Sequence, residues 1–327
     1  MLKNHIDYSF AQNIIADINN VSPSTITRLI KEMELESVSP VTSKIKKYSL
    51  SDTQLLSRKL QQPHEITKKT HVFYNMKGGT GKTSICAQIA SHLSIIGYKV
   101  LLIDCDPQAH MTSILGFPEG EDYMTIYDVI VNNVSINDAK INVMSGLDAV
   151  LSNLSLSRVE VPLSQKNRRE EKLLGAISEI ENQYDFIMID TNPSFSNLNL
   201  NALYCANQIN LICETAPFSL YGLRVMLEET ISFFNDMNRS FDYRIIPNKY
   251  ESKTATAQEV LGYLRAHYKE NVMDSIVRKC EDINIASKEC KPLAAFCKRK
   301  SIAFEDIMDL FHEFIGLSTK EYKTVAA

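Results

Sequence analysis

Seven consecutive residues, Lys77-Gly78-Gly79-Thr80-Gly81-Lys82-Thr83, place three glycines, two lysines and two threonines between an apolar run and a helical pattern. Glycines in such a loop let successive backbone N–H groups point inward around phosphate oxygens, at the positive end of a helix dipole. The spacing fits K-G-G-x-G-K-[ST], a deviant form of the P-loop pattern G-x-x-x-x-G-K-[ST], with Met76 at the first glycine position. In this chemistry Lys82 bridges the β- and γ-phosphates of a nucleotide, and the Thr83 hydroxyl ligates Mg²⁺.

Three aspartates stand directly after apolar runs further along the chain. Asp104 and Asp106 follow residues 99–103, and Asp190 follows residues 186–189. Ligands of parallel sheets bind at the carboxyl ends of strands. An aspartate after four apolar residues is the Walker B pattern, so Asp190 is predicted to hold Mg²⁺ through water. Taken alone, each aspartate is equally typical of a helix cap; their order behind the glycine-rich loop favours a role in the site.

The elements that must position these residues alternate from about residue 70 onward. Strands are predicted at residues 71–75, 99–103, 186–189, 209–213 and 243–246, and helices at 83–96, 168–182, 220–236 and 254–268. Strands that are apolar on both faces and separated by helices indicate a parallel sheet covered on both sides. The predicted fold class is therefore α/β, a P-loop NTPase with a mostly parallel sheet between two helical layers.

The first 62 residues have a different pattern, and we expect a small separate domain at 1–62, a polar linker at 63–70 and the P-loop domain at 71–327. A helix is predicted over 9–17, and a second one begins with Ser22 as its cap and Pro23 at its first position. A basic extended stretch covers 42–48. Ser51 and Gln54 have the spacing of a capping box for a third helix that reaches about Gln62.

Lys77 before the glycine pair, together with Asp104-Cys105-Asp106-Pro107-Gln108, resembles the signature of the ParA/MinD family of deviant Walker ATPases. The resemblance implies ATP and Mg²⁺ as cofactors and a homodimer that sandwiches two nucleotides, with Lys77 reaching the partner's ATP. It further implies that Asp104 supports the water shell of Mg²⁺ and that Asp106 orients the attacking water. Asn192 stands where the family more often has proline.

These considerations assign roles to a defined set of residues. The catalytic residues are expected to be Lys77, Lys82 and Asp106, and the metal-binding residues Thr83, Asp104 and Asp190. The residues expected to bind the nucleotide are Lys77, Gly78, Gly79, Thr80, Gly81, Lys82, Thr83, Ser84 and Asn248.

The nucleobase is predicted from residues 248–251, Asn-Lys-Tyr-Glu, which differ by one residue from the guanine-binding pattern Asn-Lys-x-Asp. Glu251 displaces the required carboxylate by a methylene, so ATP is favoured over GTP. By the family resemblance, Asn248 lies near adenine.

Features that the sequence lacks distinguish between the branches of the family. Residues 107–204 contain no cysteine, which excludes a nitrogenase-type iron protein. The last predicted helix, 304–314, has an acidic polar face, unlike the basic membrane helix of MinD-type proteins, and Tyr322 is no tyrosine cluster. No apolar stretch approaches the ~18 residues needed to span a bilayer. No signal peptide is evident, and the seven cysteines lack metal-site spacing. We therefore expect a cytoplasmic, nucleoid-associated protein with buried reduced thiols and no membrane partner.

Residues 9–60 resemble the winged helix-turn-helix of plasmid ParA proteins that repress their own operon; a small helical dimerisation domain is the alternative. Residues 1–70 carry a net charge of +3 and residues 244–300 one of +5, within a chain of −4. A solvated surface is the plain interpretation of such charge, and phosphate contact is the sharper one. The residues predicted to contact DNA are Ser24, Thr25, Thr27, Arg28, Lys31, Lys44, Lys46, Lys47, Lys253, Arg278, Lys279, Lys298, Arg299 and Lys300.

The expected function is that of an ATP-dependent DNA partition ATPase. Its ATP dimer binds DNA without sequence preference, a ParB-type centromere-binding partner stimulates hydrolysis, and the N-terminal block binds an operator. Two alternatives stay open: a transcription regulator switched by nucleotide, and a ParA-like positioner of non-DNA cargo.

Overall fold

The computed structural model describes residues 8–61, 64–118, 120–297 and 300–321. Within these ranges the strands are β1 Ser9–Ala11, β2 Lys47–Ser49, β3 His64–Ile66, β4 Thr70–Tyr74, β5 Val100–Cys105, β6 Lys140–Met144, β7 Leu147–Val150, β8 Phe186–Thr191, β9 Gln208–Glu214, β10 Tyr243–Asn248 and β11 Thr319–Glu321. The helices are α1 Gln12–Ile18, α2 Pro23–Glu32, α3 Leu50–Leu60, α4 Lys82–Ile95, α5 His110–Ile114, α6 Ile126–Ile130, α7 Ile136–Ala139, α8 Glu160–Ser164, α9 Lys172–Ser178, α10 Asn197–Cys205, α11 Ser219–Asp236, α12 Ala255–His267, α13 Glu281–Lys288, α14 Leu293–Phe296 and α15 Ile302–Ser318.

A central sheet takes the strand order β10-β9-β4-β8-β5-β7-β6, in which all neighbours are parallel except the edge pair β6–β7. The strands β4, β5 and β8 are buried along their whole length. Separate hydrophobic clusters cover the two faces of the sheet, because helices pack on both sides. This architecture confirms the predicted P-loop fold, and all five predicted strands are present with bounds shifted by one or two residues.

The glycine-rich loop connects the end of β4 to the start of α4. Nearly every residue of α4 is buried, and its hydrogen-bonded end at Ile96 precedes Gly97, whose φ of +99° lies in the left-handed region. The sequence therefore predicted this helix and its end correctly, since only glycine adopts that backbone conformation without strain. A helix that is buried along most of its length is a rigid base for the loop at its N-terminus.

The N-terminal block confirms some expectations and corrects others. Ser22 Oγ accepts the N–H of Thr25 at 3.3 Å, and α2 begins at Pro23 as predicted. The first helix begins only at Gln12, because residues 9–11 pair with β2 as an antiparallel strand. The capping-box prediction was wrong: Ser49, not Ser51, caps α3, and its hydroxyl also donates to Asp52 Oδ2 at 2.6 Å.

The predicted capping residue Gln54 instead ties the block to the P-loop domain. Its Nε2 donates to the Ser94 and Ser145 carbonyls at 2.9 and 2.8 Å, and its Oε1 accepts the Ser145 hydroxyl at 3.0 Å. The apolar residues of α1, α2 and α3 belong to the same buried cluster as those of α4 and α15. Residues 8–61 are thus packed into one core with the P-loop domain. The domain boundary predicted near residue 62 did not indicate this shared core.

The linker predicted at 63–70 is not an extended connection. Residues 64–66 form β3, which pairs antiparallel with β11 at residues 319–321, and Thr70 already belongs to β4. The short polar segment looked unstructured because its hydrogen-bond partners lie some 250 residues away in the chain. Residues 62 and 63 lie outside the described residues.

Two further helical predictions need comment. The helix predicted over 168–182 is interrupted: Arg168 has a left-handed φ of +50°, a 3-10 turn spans Arg169–Glu171, and α9 covers only 172–178. Asn201 Oδ1 accepts the N–H of Leu173, so a neighbouring helix defines where α9 begins. The C-terminal α15 buries its apolar side chains in the core, and within the described residues no helix is long and apolar enough to cross a bilayer.

Candidate functional site

The phosphate loop owes its shape to two glycines with left-handed backbone. Gly79 has a φ of +73° and Gly81 one of +96°. A Cβ at Gly81 would lie 2.3 Å from Nδ2 of Asn248, whereas a Cβ at Gly79 meets nothing within 4 Å. Gly81 is therefore required for close packing as well as for its dihedral angle, and Gly79 for the dihedral angle alone.

Asn248 lies at the end of β10, directly beneath the loop. It is 4% exposed, and its Nδ2 donates to the Thr80 carbonyl at 2.6 Å. Thr80 is buried between the two left-handed glycines, in the middle of the loop. The Asn248 amide therefore supports the loop at its centre. The structure thus brings Asn248 against the phosphate loop and leaves it off the wall of the cavity; its predicted contact with adenine stays a prediction.

The predicted metal residues meet at the ends of β5 and β8. Asp104 and Asp190 are register partners on these adjacent strands, and both are fully buried. The Thr83 hydroxyl donates to Asp190 Oδ2 at 2.8 Å. Asp104 accepts the hydroxyl and the N–H of Thr112 at 2.8 and 3.0 Å and the N–H of Asp106 at 3.0 Å. These bonds fix the two carboxylates side by side below the loop.

Burial controls the electrostatics of this cluster. Removal from water raises the pKa of Asp104 to about 7, against hydrogen bonds that lower it, and raises the pKa of Asp190 well above its ordinary value, with Asp104 adding to the effect. Burial lowers the pKa of Lys82, while Asp190 and Asp106 counteract that shift. The cluster therefore holds more negative than positive groups in a poorly solvated place, which favours a bound cation.

The donor set fits Mg²⁺. Asp190 Oδ1 is buried, and among the described residues it has no hydrogen-bond partner. Mg²⁺ is commonly bound through one or two carboxylates, several waters and substrate phosphates. No group of three or more His, Cys, Asp or Glu in the described chain is arranged to hold a metal directly. Asp104 and Asp190 would suit the water shell of the ion, and the Thr83 hydroxyl beside them would suit a direct bond to it.

A cavity of about 700 Å³ opens above the loop. Its walls comprise two sets of residues. The predicted members are Gly78, Gly79, Thr80, Gly81, Lys82, Thr83, Ser84 and Asp106. The members that sequence reasoning missed are Gln108, His110, Ser113, Ile114, Pro193, Lys249, Asn284, Ser287, Lys288 and Cys290. α5 and α13 with its following turn contribute seven of the ten wall residues that were missed, and no local pattern marks α13 as a binding element.

Lys77 lies outside the wall of this cavity. Its side chain is 55% exposed, and its Nζ pairs with Glu214 Oε2 at 2.8 Å. Lys82, in contrast, is 6% exposed and lines the cavity. The two lysines of one loop thus face different surroundings: Lys82 is placed to contact a nucleotide bound above its own loop, and Lys77 is not.

The predicted DNA-contacting residues fall into three groups. Those with exposed side chains are Ser24, Thr27, Arg28, Lys31, Lys44, Lys46, Lys47, Lys253, Lys279 and Lys300, and Thr25 is partly exposed. Lys279 pairs with Glu251 at 2.8 Å. Arg278 is committed to the nearly buried Asp306, to which its Nε donates at 3.0 Å, so a DNA contact requires those bonds to break. Lys298 and Arg299 lie outside the described residues.

Comparison with known proteins agrees with this geometry. A family model described as an AAA domain matches residues 68–243, more than half of the chain. The cell division protein PomZ of Myxococcus xanthus is 35% identical, and the match covers 87% of this chain and 86% of PomZ. The chromosome-partitioning ATPase Soj of Treponema pallidum is 31% identical over 70% of this chain and 90% of Soj.

The chain belongs to the ParA family of Walker-type ATPases. Its enzymatic activity is that of an ATPase. Among solved structures, cobyrinic acid a,c-diamide synthase of Mycobacterium smegmatis, with a bound ATP analogue and magnesium, is similar with a TM-score of 0.61 and 26% identity. The match covers 68% of this chain and 91% of the synthase. The ParA resemblance that rested on Lys77 and Asp104-Cys105-Asp106 is thus confirmed at the level of the family.

Proposed function

We propose that this protein is an ATP-dependent partition ATPase whose ATP-bound form is a sandwich dimer on DNA. The nucleotide is ATP, held by residues 78–84, and the metal is Mg²⁺, held by Thr83 directly and by Asp104 and Asp190 through water. When bound, Mg²⁺ neutralises charge on the phosphates. Two partition ATPases among the family relatives, Soj and ParA, support this assignment.

The position of Lys77 is the observation that carries the dimer. A lysine outside the wall of its own cavity, on a loop rigidly attached to α4, is available to phosphates presented by a second subunit. A lysine ammonium beside those phosphates stabilises the negative charge that develops on them during hydrolysis. Lys82 serves the nucleotide of its own subunit, and Asp106, on the cavity wall, orients the attacking water.

DNA binding is assigned to two basic surfaces. Lys253, Lys279 and Lys300 belong to the surface that contacts DNA of any sequence, whereas the exposed face of α2 with Lys44, Lys46 and Lys47 binds an operator. Phosphate neutralisation by lysine and arginine supplies non-specific affinity, which falls steeply with salt. A ParB-type partner stimulates hydrolysis and releases the protein from the nucleoid.

The decisive experiment measures binding to random-sequence duplex DNA with Mg²⁺ in the presence of no nucleotide, ADP, ATP or GTP. We expect binding with ATP alone. Equal binding in all four conditions would favour a regulator that uses only its N-terminal block, and binding in none would exclude the DNA-based function.

Two variants separate binding from hydrolysis. Lys82→Ala should lose ATP-dependent dimerisation on a sizing column. Asp106→Ala should keep the dimer and lose turnover, because its carboxylate lies on the cavity wall, whereas Asp104 and Asp190 lie beneath it. Normal turnover by Asp106→Ala would contradict its assigned role. Arg28→Ala should weaken operator binding and spare non-specific binding; equal loss of both would contradict a sequence-reading α2.

A second candidate function is the positioning of a non-DNA cargo, such as a division complex. The match to PomZ covers 87% of the chain, so only about 43 residues lie outside it, fewer than the 62 of the N-terminal block. The similarity to a cell division protein therefore reaches into that block, whereas the match to Soj covers 70% of the chain. Loss of division-site placement, with normal DNA segregation, in a deletion strain would favour this candidate.

A further inference from the structure

Glu214 lies between two lysines that follow neighbouring strands. In the sheet β9 is flanked by β10 and β4, and Glu214 is the last residue of β9. Lys77 comes from the loop after β4, and Lys249 directly follows β10, so both reach the same carboxylate. Lys77 Nζ lies 2.8 Å from Glu214 Oε2, and Lys249 Nζ lies 3.9 Å from Oε1.

Lys249 is also bonded to the phosphate loop, since its Nζ donates to the Gly79 carbonyl at 2.5 Å. Lys77 is the first residue of that loop, and its backbone N–H donates to Asn75 Oδ1 at 2.7 Å. The carboxylate of Glu214 is only about one-fifth exposed, whereas the Lys77 side chain is 55% exposed. The acid is therefore the fixed member of the pair, and the Lys77 ammonium is the member that can move.

We propose that Glu214 is a positioning residue that holds Lys77 on its own subunit until a second subunit presents its phosphates. The inference rests on the proposed function, because Lys77 must leave Glu214 to reach a partner's nucleotide. Lys249, already 3.9 Å away, is the cation left to Glu214 once Lys77 has gone. The ion pair thus opposes dimerisation and raises the dissociation constant of the ATP-bound dimer.

The size of the effect follows from exposure. An ion pair with one half-exposed partner contributes modestly, so removing the carboxylate should favour the released Lys77 by about two- to fivefold. Two such pairs open for each dimer formed, so the dimer dissociation constant at saturating ATP should fall about four- to twenty-fivefold. No comparable change is expected with ADP, since its phosphates do not drive the sandwich.

The first test is sedimentation of wild type and Glu214→Gln with saturating non-hydrolysable ATP analogue, and again with ADP. Glu251→Gln is the matched control, because it removes a carboxylate that pairs with Lys279 at the same 2.8 Å, after the adjacent strand. Glu214→Asp, which retains the charge, should restore much of the wild-type dissociation constant.

The second test needs no dimer. Lysine acetylation by a small reagent, read by mass spectrometry on nucleotide-free monomer, should proceed about two- to fivefold faster at Lys77 in Glu214→Gln than in wild type. In Glu251→Gln the gain should occur at Lys279 instead.

The outcomes separate the two ideas. Unchanged Lys77 labelling in Glu214→Gln overturns the inference, whatever the dimer does. Faster labelling of Lys77 with an unchanged dissociation constant of the ATP-bound dimer overturns the claim that the ion pair opposes dimerisation. If Lys77 is labelled faster in Glu214→Gln but every variant stays monomeric with ATP, the ion pair is supported and the sandwich dimer of the proposed function is refuted.

Discussion

Gly81→Ala tests whether Asn248 supports the phosphate loop. Alanine in the left-handed region costs about 1–2 kcal/mol relative to glycine, so Gly79→Ala and Gly81→Ala share that cost. Only Gly81→Ala also places a Cβ 2.3 Å from Asn248 Nδ2. The amide must then leave the Thr80 carbonyl, and loss of a buried hydrogen bond of this kind costs about 1–3 kcal/mol.

The assay is urea unfolding without nucleotide, followed by circular dichroism. Gly81→Ala should lower the free energy of unfolding by about 2–5 kcal/mol and Gly79→Ala by about 1–2 kcal/mol. Asn248→Ala alone should cost about 1–3 kcal/mol. Because the Cβ introduced by Gly81→Ala meets no amide once Asn248 is shortened, the double variant should be more stable than the sum of the single costs predicts, by about 1–3 kcal/mol.

Two results would refute this reasoning. Equal destabilisation by Gly79→Ala and Gly81→Ala would mean that the contact with Asn248 carries no energy. Costs of Gly81→Ala and Asn248→Ala that add to within about 0.5 kcal/mol would mean the same. If Asn248→Ala leaves stability unchanged and instead lowers the affinity for ATP relative to GTP, Asn248 is the adenine contact that the sequence predicted.

The remaining predictions concern the attachment of the N-terminal block and buried histidine. Gln54→Ala should lower the free energy of unfolding by about 2–4 kcal/mol, because it removes three hydrogen bonds to Ser94 and Ser145 that contribute about 0.5–1.5 kcal/mol each; an unchanged urea midpoint would contradict it. The pKa of buried His92 is lowered to about 4, so between pH 6.5 and 4 the unfolded chain binds a proton that the folded chain does not. His92 should therefore contribute a loss of about 2 kcal/mol in the free energy of unfolding as the pH is lowered from 7.5 to 5, and buried His71, whose pKa is likewise lowered to about 4, should add a similar loss. His92→Gln should remove its own share of this slope, whereas exposed His267→Gln should leave the slope unchanged.

The sequence predicted the chemistry of the site best where function depends on neighbours in the chain. Lys82, Thr83, Asp104 and Asp190 meet as expected, because a loop and the ends of adjacent parallel strands must converge at one edge of a sheet. The order of these short patterns along the chain also predicts the fold class. Local spacing was sufficient since each side chain lies within a residue or two of a strand or helix end.

The boundary of the N-terminal block could not be predicted in the same way. Residues 64–66 are too short and polar to indicate a strand, and they become one only because β11 pairs with them from the far end of the chain. Gln54 had the spacing of a capping residue, but a capping interaction and a long-range one use the same amide. In both cases a partner distant in the chain determines the structure, and local sequence propensity does not distinguish between the possible partners.

The same limit explains why half of the cavity was missed. α13 contributes Asn284, Ser287 and Lys288 to the wall, yet its sequence is that of an ordinary polar surface helix. Its position follows from tertiary packing: Ala286 is fully buried in the cluster that also holds the α4 side chains, and the Leu293 N–H at the start of α14 donates to Gln88 Oε1 on α4 at 2.8 Å. Contacts between segments distant in the chain thus bring α13 over the phosphate loop. Phosphate recognition depends on consecutive residues, whereas the remainder of the nucleotide pocket depends on packing between elements. For that reason local spacing indicated the phosphate loop but not the contribution of α13 to the wall.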